Sequence, residues 1–225
     1  MKRYIITLGI LWVLFTFNAQ SGTIIGGTRV IYAGEKKEAS ISVRNPEKSD
    51  VYLIQSWVET GPGKGKSPFI VTPPLFRINP GEENILRIVR TGGTLPQDRE
   101  SVFWLNVKSV PAISDDQPRN NVLQVVVKTR LKLFYRPDGL GADAMDAYRR
   151  LTFSATGYVL TVTNPTPWYV TLYALNADGQ EIKEADMVPP KGSVSFTLLS
   201  VRPRIVTWQA INDYGGISES ESRTL

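Results

Sequence analysis

Asp98 and Glu100 stand two residues apart at the entrance to a strand-forming run, a spacing that puts both carboxylates on one face. Paired carboxylates are the acid and base of glycoside hydrolysis. No aromatic-rich sugar cleft is evident around them, which leaves the pair without a substrate platform. Gly61–Ser67, GPGKGKS, falls one residue short of the loop that wraps a phosphate, and no helical pattern follows, so a hairpin tip is expected. Asn164-Pro165-Thr166 fails as a glycosylation acceptor because proline occupies its middle position. The chain has no histidine and no cysteine. Those absences remove Ser-His-Asp and Cys-His nucleophiles and the usual zinc ligand sets. A non-enzymatic protein without metal or cofactor is the expectation.

Five charged residues, Glu100 again among them, sit in unusual company. Arg29 lies in Thr28-Arg29-Val30-Ile31-Tyr32 and Lys132 in Leu131-Lys132-Leu133-Phe134, each a cation flanked by strong strand formers. Glu100, Arg136 and Asp213 lie in LPQDRES, FYRP and INDYGG, segments rich in apolar or turn residues. A charge buried in such a setting needs a partner.

The elements that must position these residues are strands. Asn121–Pro137, NVLQVVVKTRLKLFYRP, reads as one strand far longer than the usual ~5–6 residues. Leu123, Val125, Val127 and Leu131 project to one face, and Gln124, Lys128, Arg130 and Lys132 to the other. Such a strand offers more apolar surface than its own small domain requires. Shorter alternating runs precede it at Arg29–Tyr32, Ala39–Arg44, Val51–Glu59, Ile85–Arg90 and Val102–Val110. Counting to the long strand gives about seven, the number in an immunoglobulin-like sandwich. After Arg136-Pro137 comes a linker-like Asp-Gly-Leu-Gly-Ala-Asp, and Ala142–Arg150 has helical character for one turn at most. Strands resume at Leu151–Ser154, Tyr158–Asn164, Val170–Leu175, Ser193–Leu199 and Ile205–Asn212. Both units are expected to be antiparallel, since nothing can serve as a crossover helix.

Lys2 and Arg3 precede an apolar run from Ile5 to Phe17, followed by Ala19 and Ser21. That is the pattern of a secretory signal peptide, residues 1–21, and the run is shorter than the ~20 residues of a membrane-spanning helix. Setting aside Lys2 and Arg3 lowers the basic count from 26 to 24 against 21 acidic residues, a mature net charge of +3. So mild a charge, interspersed along the chain, gives no nucleic-acid footprint and no membrane insertion. The expected organisation is a domain at 22–138 and a second, smaller one at 139–225. An exported chain without cysteine must be held by packed cores.

Several segments resemble, in order and spacing, the PapD-like periplasmic chaperones of the chaperone–usher pathway. They are Leu95–Trp104 followed by Val110-Pro111, Lys132–Pro137, Thr28–Tyr32, Thr72–Arg77, Asn164–Pro167 and Ile211–Gly216. The resemblance covers nearly the whole mature chain. It implies an all-β boomerang of two immunoglobulin-like domains with a cleft between them, working in the periplasm. It implies that Arg29 and Lys132 anchor the C-terminal carboxylate of a pilus subunit, and that Leu123, Val125 and Val127 fill the groove of the incomplete subunit fold. Glu100, Arg136 and Asp213 become the charge network that sets the interdomain angle, and Pro73 and Pro74 a contact for the outer-membrane usher. The short loop region Pro111–Asn121 is similar to the short-loop subgroup. Donated strands that complete a pilin are a described mode of recognition. An exposed strand edge also predicts self-association of the free chain. The alternative is an exported two-domain immunoglobulin-like adhesin or structural surface module.

Overall fold

The computed structural model describes residues 22–61, 64–112, 124–141, 143–199 and 203–225, the side chains of residues 64–66 excepted. The signal-peptide segment, Leu123 and residues 113–121 of the short loop lie outside the described residues. The first half contains β1 (Ile24–Ile25), β2 (Arg29–Ala33), β3 (Glu38–Arg44), β4 (Tyr52–Gly61) and β5 (Lys64–Lys66). It continues with β6 (Phe69–Thr72), β7 (Leu75–Ile78), β8 (Glu83–Arg90), β9 (Ser101–Pro111) and β10 (Val127–Arg136). One sheet runs β1-β3-β8-β6 and the other β2-β10-β9-β4-β5, with β7 also on β4.

Alternation explains the packing. Tyr52, Ile54, Ser56 and Val58 of β4 point inward, as do Phe103, Leu105 and Val107 of β9 and Leu131, Leu133 and Tyr135 of β10. They meet Ile41, Val43, Phe69, Val71, Leu86 and Ile88 of the opposite sheet in one core. Phe69 joins the layers, edge to face with Phe103 at 4.9 Å and with Tyr32 at 5.1 Å. Covering each such side chain contributes about 1.5–3 kcal/mol.

The second half holds β11 (Thr152–Thr156), β12 (Val159–Asn164), β13 (Val170–Ala177) and β14 (Gln180–Glu181). After these come β15 (Met187–Val188), β16 (Gly192–Thr197), β17 (Ile205–Ile211) and β18 (Glu221–Thr224). Its sheets run β11-β12-β16 and β14-β13-β17-β18, with β15 on β13. A separate core joins Leu160 and Val162 to Leu172, Leu175, Val206 and Trp208. The chain is therefore all-β, two immunoglobulin-like sandwiches in series.

Three expectations differ from the structure. Among the described residues the strand expected from Asn121 pairs from Val127, because continuing its register would set Val125 opposite Pro111, which has no N–H to give a ladder. The helical segment is a 3₁₀ helix over Asp143–Arg150 rather than one turn. It is held by burial of Ala147 and Tyr148 and by Trp208 Nε1 donating to the Tyr148 carbonyl at 3.0 Å. The sheets are not wholly antiparallel, since β2 pairs with β10 in parallel. No crossover helix is needed, because the rest of the sandwich forms the connection. Gly26-Gly27 is where the chain passes from the β3 sheet to the β10 sheet. Gly26 donates to Ser42 O at 2.9 Å, and a Cβ there would lie 2.4 Å from Ser42 Oγ, so any larger residue would have to turn the Ser42 hydroxyl aside.

Candidate binding cleft between the two sandwiches

β2 and β10 carry the two cations to one place. In their parallel ladder Lys132 is the register partner of Arg29, and Phe134 of Ile31. Val30 and Tyr32 face the core, so Arg29 faces outward with Lys132, on the side of the second sandwich. Arg29 Nη1 donates to Ile211 O at 3.0 Å, and its guanidinium lies 5.9 Å from the Phe134 ring centroid. Its Nε is buried without a partner. Burial pulls the Arg29 pKa below its ordinary value, opposed by the charges of Asp213, Asp186 and Glu100. Lys132 Nζ pairs with Asp186 Oδ1, a residue just ahead of β15 in the second sandwich.

Beside this pair, Arg136 at the end of β10 binds two carboxylates. Its Nε donates to Glu100 Oε1 at 2.7 Å, and Nη1 and Nη2 donate to Asp213 at 2.8 and 3.0 Å. Glu100 immediately precedes β9, and its second oxygen accepts the Tyr169 N–H at 2.8 Å. Burial pushes the Glu100 pKa up, opposed by the Arg136 charge and the Tyr169 hydrogen bond. Burial also disfavours the Arg136 cation, but the hydrogen bonds and charges of Asp213 and Glu100 prevail and hold its pKa above ordinary. Asp213 sits in a turn built by Asn212 Oδ1, which accepts the N–H groups of Tyr214 and Gly216 at 3.0 and 2.9 Å. In the same turn Gly215 has φ +84°, and a Cβ there would meet Thr28 Oγ1 at 2.6 Å. Tyr169 completes the contact with its ring tilted 45° to that of Phe134, centroids 5.7 Å apart.

Asp98 and Glu100 do not form a catalytic pair. Asp98 binds Arg99 and, at 2.8 Å, Lys191 of the second sandwich, while Glu100 is 3% exposed inside the charge network. Among the described residues no three metal-ligating side chains cluster, and no helix is long and apolar enough to cross a membrane.

β10 has one open edge. β9 pairs with it from Val127 to Tyr135, but β2 covers only Lys132–Arg136. The backbone of Val127–Leu131 is therefore unpaired on the β2 side among the described residues. Val125 and Val127 are 63% and 44% exposed. The basic cations on the other face are exposed and lie over aromatic rings. Lys128 lies 4.9 Å from the Trp57 ring centroid, and Arg130 lies 5.9 Å from that of Trp104 and 3.8 Å from Glu59. Pro73 and Pro74 lie apart from the cleft, on the side of β4 away from β9, where Ser56 donates to both carbonyls.

Sequence reasoning missed Asp186, Tyr169 and Lys191. Each acts across the two sandwiches, and nothing local separates Asp186 from the neighbouring Glu184.

Residues 22–141 match the family described as pili and flagellar-assembly chaperone, PapD N-terminal domain, and residues 146–222 match pili assembly chaperone PapD, C-terminal domain. The chain belongs to this family of pili-assembly chaperones. It is 45% identical over 227 residues to the probable fimbrial chaperone LpfB of Escherichia coli O157:H7, covering 100% of this chain and 98% of that one. It is 42% identical to the chaperone protein FimC of Escherichia coli K12, over 89% of this chain and 83% of that one. Among solved structures, a chain of the Salmonella enterica SafA pilin–SafB chaperone complex superposes with a TM-score of 0.83 at 33% identity, covering 93% and 99% of the two chains. The Escherichia coli chaperone DraB gives 0.80 at 35%, covering 91% and 96%. This membership displaces the adhesin reading.

Proposed function

We propose that this chain is a periplasmic chaperone that lends the open edge of β10 to pilus subunits and passes them to an outer-membrane usher. A subunit that lacks a strand exposes unpaired amides and an apolar groove, an aggregation hazard. The edge of Val127–Leu131 satisfies the amides, and Val125 and Val127, together with Leu123, fill the groove.

The observation that carries this reading is the placement of Arg29 and Lys132 where the open edge ends. A strand added along Val127–Leu131 runs into the beginning of β2. Only a strand parallel to β10 brings its C-terminus there; an antiparallel one would bring its N-terminus, an ammonium, against two cations. A terminal carboxylate at this point is thus favoured by charge as well as by geometry.

The division of labour follows from magnitudes. Covering two half-exposed valines contributes about 1–2 kcal/mol each, and a charged hydrogen bond about 1.5–3 kcal/mol. The apolar face grips in proportion to its length, while the cations fix the register. A slip by one residue would turn Lys128 into the groove.

In this reading Glu100, Arg136 and Asp213 set the angle between a chaperone domain at 22–138 and a second domain at 139–225. Pro73 and Pro74 are assigned to the usher, residues 1–21 to export, and the open edge to weak self-association when no subunit is present. The SafA pilin seated with a similar chaperone supports the partner class. Co-expression with a pilus subunit followed by periplasmic pull-down tests the function. Recovery of soluble subunit is expected, and its absence with every subunit tried would overturn it.

A further inference from the structure

Lys132 already has a carboxylate. We propose that Asp186 is an internal competitor at the cation pair, holding Lys132 until the terminal carboxylate of a subunit displaces it; this deepens the cation-pair reading and rests on it. The two sides of the ion pair are unequally wet: the Lys132 side chain is 13% exposed and that of Asp186 66%. A nearly buried ammonium needs a counter-charge, and Asp186 supplies one. Released, the Asp186 carboxylate returns to water with little penalty because it is mostly hydrated already. Its backbone stays in place, since Leu172 donates to the Asp186 carbonyl at 2.7 Å.

Arg29 is differently engaged. One nitrogen donates to Ile211 O and Nε has no partner. Exchange at Lys132 breaks an ammonium–carboxylate contact whose acid is mostly exposed and makes one under the added strand, so Asp186 offsets only part of the gain. Arg29, which an arriving terminal carboxylate can reach as well, adds to it. An amidated end, or the middle of an extended chain, offers nothing to displace Asp186. The aspartate therefore raises the threshold for capture of a free C-terminus, and the preference for that terminus comes from the two cations.

The test uses a peptide of alternating valine and threonine, long enough to cover Val127–Leu131, as free acid and as C-terminal amide, titrated calorimetrically. Asp186→Asn is expected to bind the free acid about two- to fivefold tighter than the unaltered chain, the range of a partly exposed ion pair, and the amide equally. In a Lys132→Ala background Asp186→Asn should change neither. Should the Asn variant not fold, Asp186→Ser replaces it. Equal or weaker binding of the free acid by the variant, while both proteins still prefer acid to amide, overturns the assignment of Asp186 alone. If neither protein tells acid from amide, the cation-pair reading fails, and this assignment with it.

Discussion

Lys132 and Arg29 are register partners across the parallel ladder of β10 and β2, so their side chains emerge side by side from one face of the sheet. The same ladder begins where the open edge of β10 ends. In the proposed function the two facts together make one device, an edge that accepts a strand and a charged stop that sets how far it runs.

Lys132→Ala should separate binding from folding. Loss of one charged hydrogen bond of about 1.5–3 kcal/mol lowers subunit affinity about ten- to a hundredfold. The Lys132–Asp186 pair has an exposed partner, so stability should change by less than about 1 kcal/mol. Subunit yield and thermal unfolding measured on the same preparations decide it; normal yield would remove Lys132 from the stop.

Val127 and Leu131 lie on one face of β10 and, in the proposed function, serve different folds. Leu131, 7% exposed, belongs to the chain's own core, and Leu131→Ala should cost about 2–4 kcal/mol in urea unfolding. Val127 is uncovered, so Val127→Asp should leave unfolding within about 0.5 kcal/mol while abolishing subunit recovery. Full recovery with Val127→Asp would mean that the groove is filled by other residues.

The charge network predicts graded losses. Asp213→Asn weakens a two-point contact to Arg136 and should lower stability by about 1–3 kcal/mol. Glu100→Ala leaves the Arg136 cation short of its most buried partner and should cost about 3–5 kcal/mol. Unchanged midpoints in both variants would show that the network holds nothing.

Two carboxylates predict opposite slopes with pH. Burial holds Glu100 above its ordinary 4.5, so the folded chain binds this proton more tightly than the unfolded one. The Glu100 contribution is full below pH 4.5 and declines as pH rises through its folded value, a decline that Glu100→Gln removes. Asp98 is held well below the usual carboxylate range, first by its hydrogen bond from Arg99 and then by Lys191. Its contribution is present at neutral pH and lost in strong acid as pH falls through the folded value, a loss that Asp98→Asn removes. Unfolding free energies across the acid range compare the slopes; no change in slope for either variant would contradict the ionic roles of Glu100 and Asp98.

Much of the architecture was legible because burial on one side of a sheet imposes a period of two. Tyr52, Ile54, Ser56 and Val58 alternate in the sequence and are all inside the sandwich. Arg29 and Lys132 stood out because a cation between strand formers conflicts with its neighbours. What stayed hidden depends on contacts between distant segments. Asp186 gains its meaning only from a lysine 54 positions away. The parallel pairing of β2 with β10 leaves no local trace, and neither does β18, whose Glu-Ser-Arg-Thr is polar throughout and is a strand only through its ladder with β17. The start of β10 was set by the end of its neighbour at Pro111 rather than by its own valines.

The central claim is that a subunit strand lies beside Val127–Leu131 in a register fixed by Arg29 and Lys132. The absence of cysteine makes a direct measurement clean. Val127→Cys, co-expressed with a pilus subunit carrying single cysteines scanned along its last strand, reports the register as periplasmic disulfide formation. One strong crosslinking position is predicted in the chain with Lys132 intact, and crosslinks spread over neighbouring positions with Lys132→Ala. Crosslinks that are absent, or equally spread with Lys132 in place, would contradict the claim.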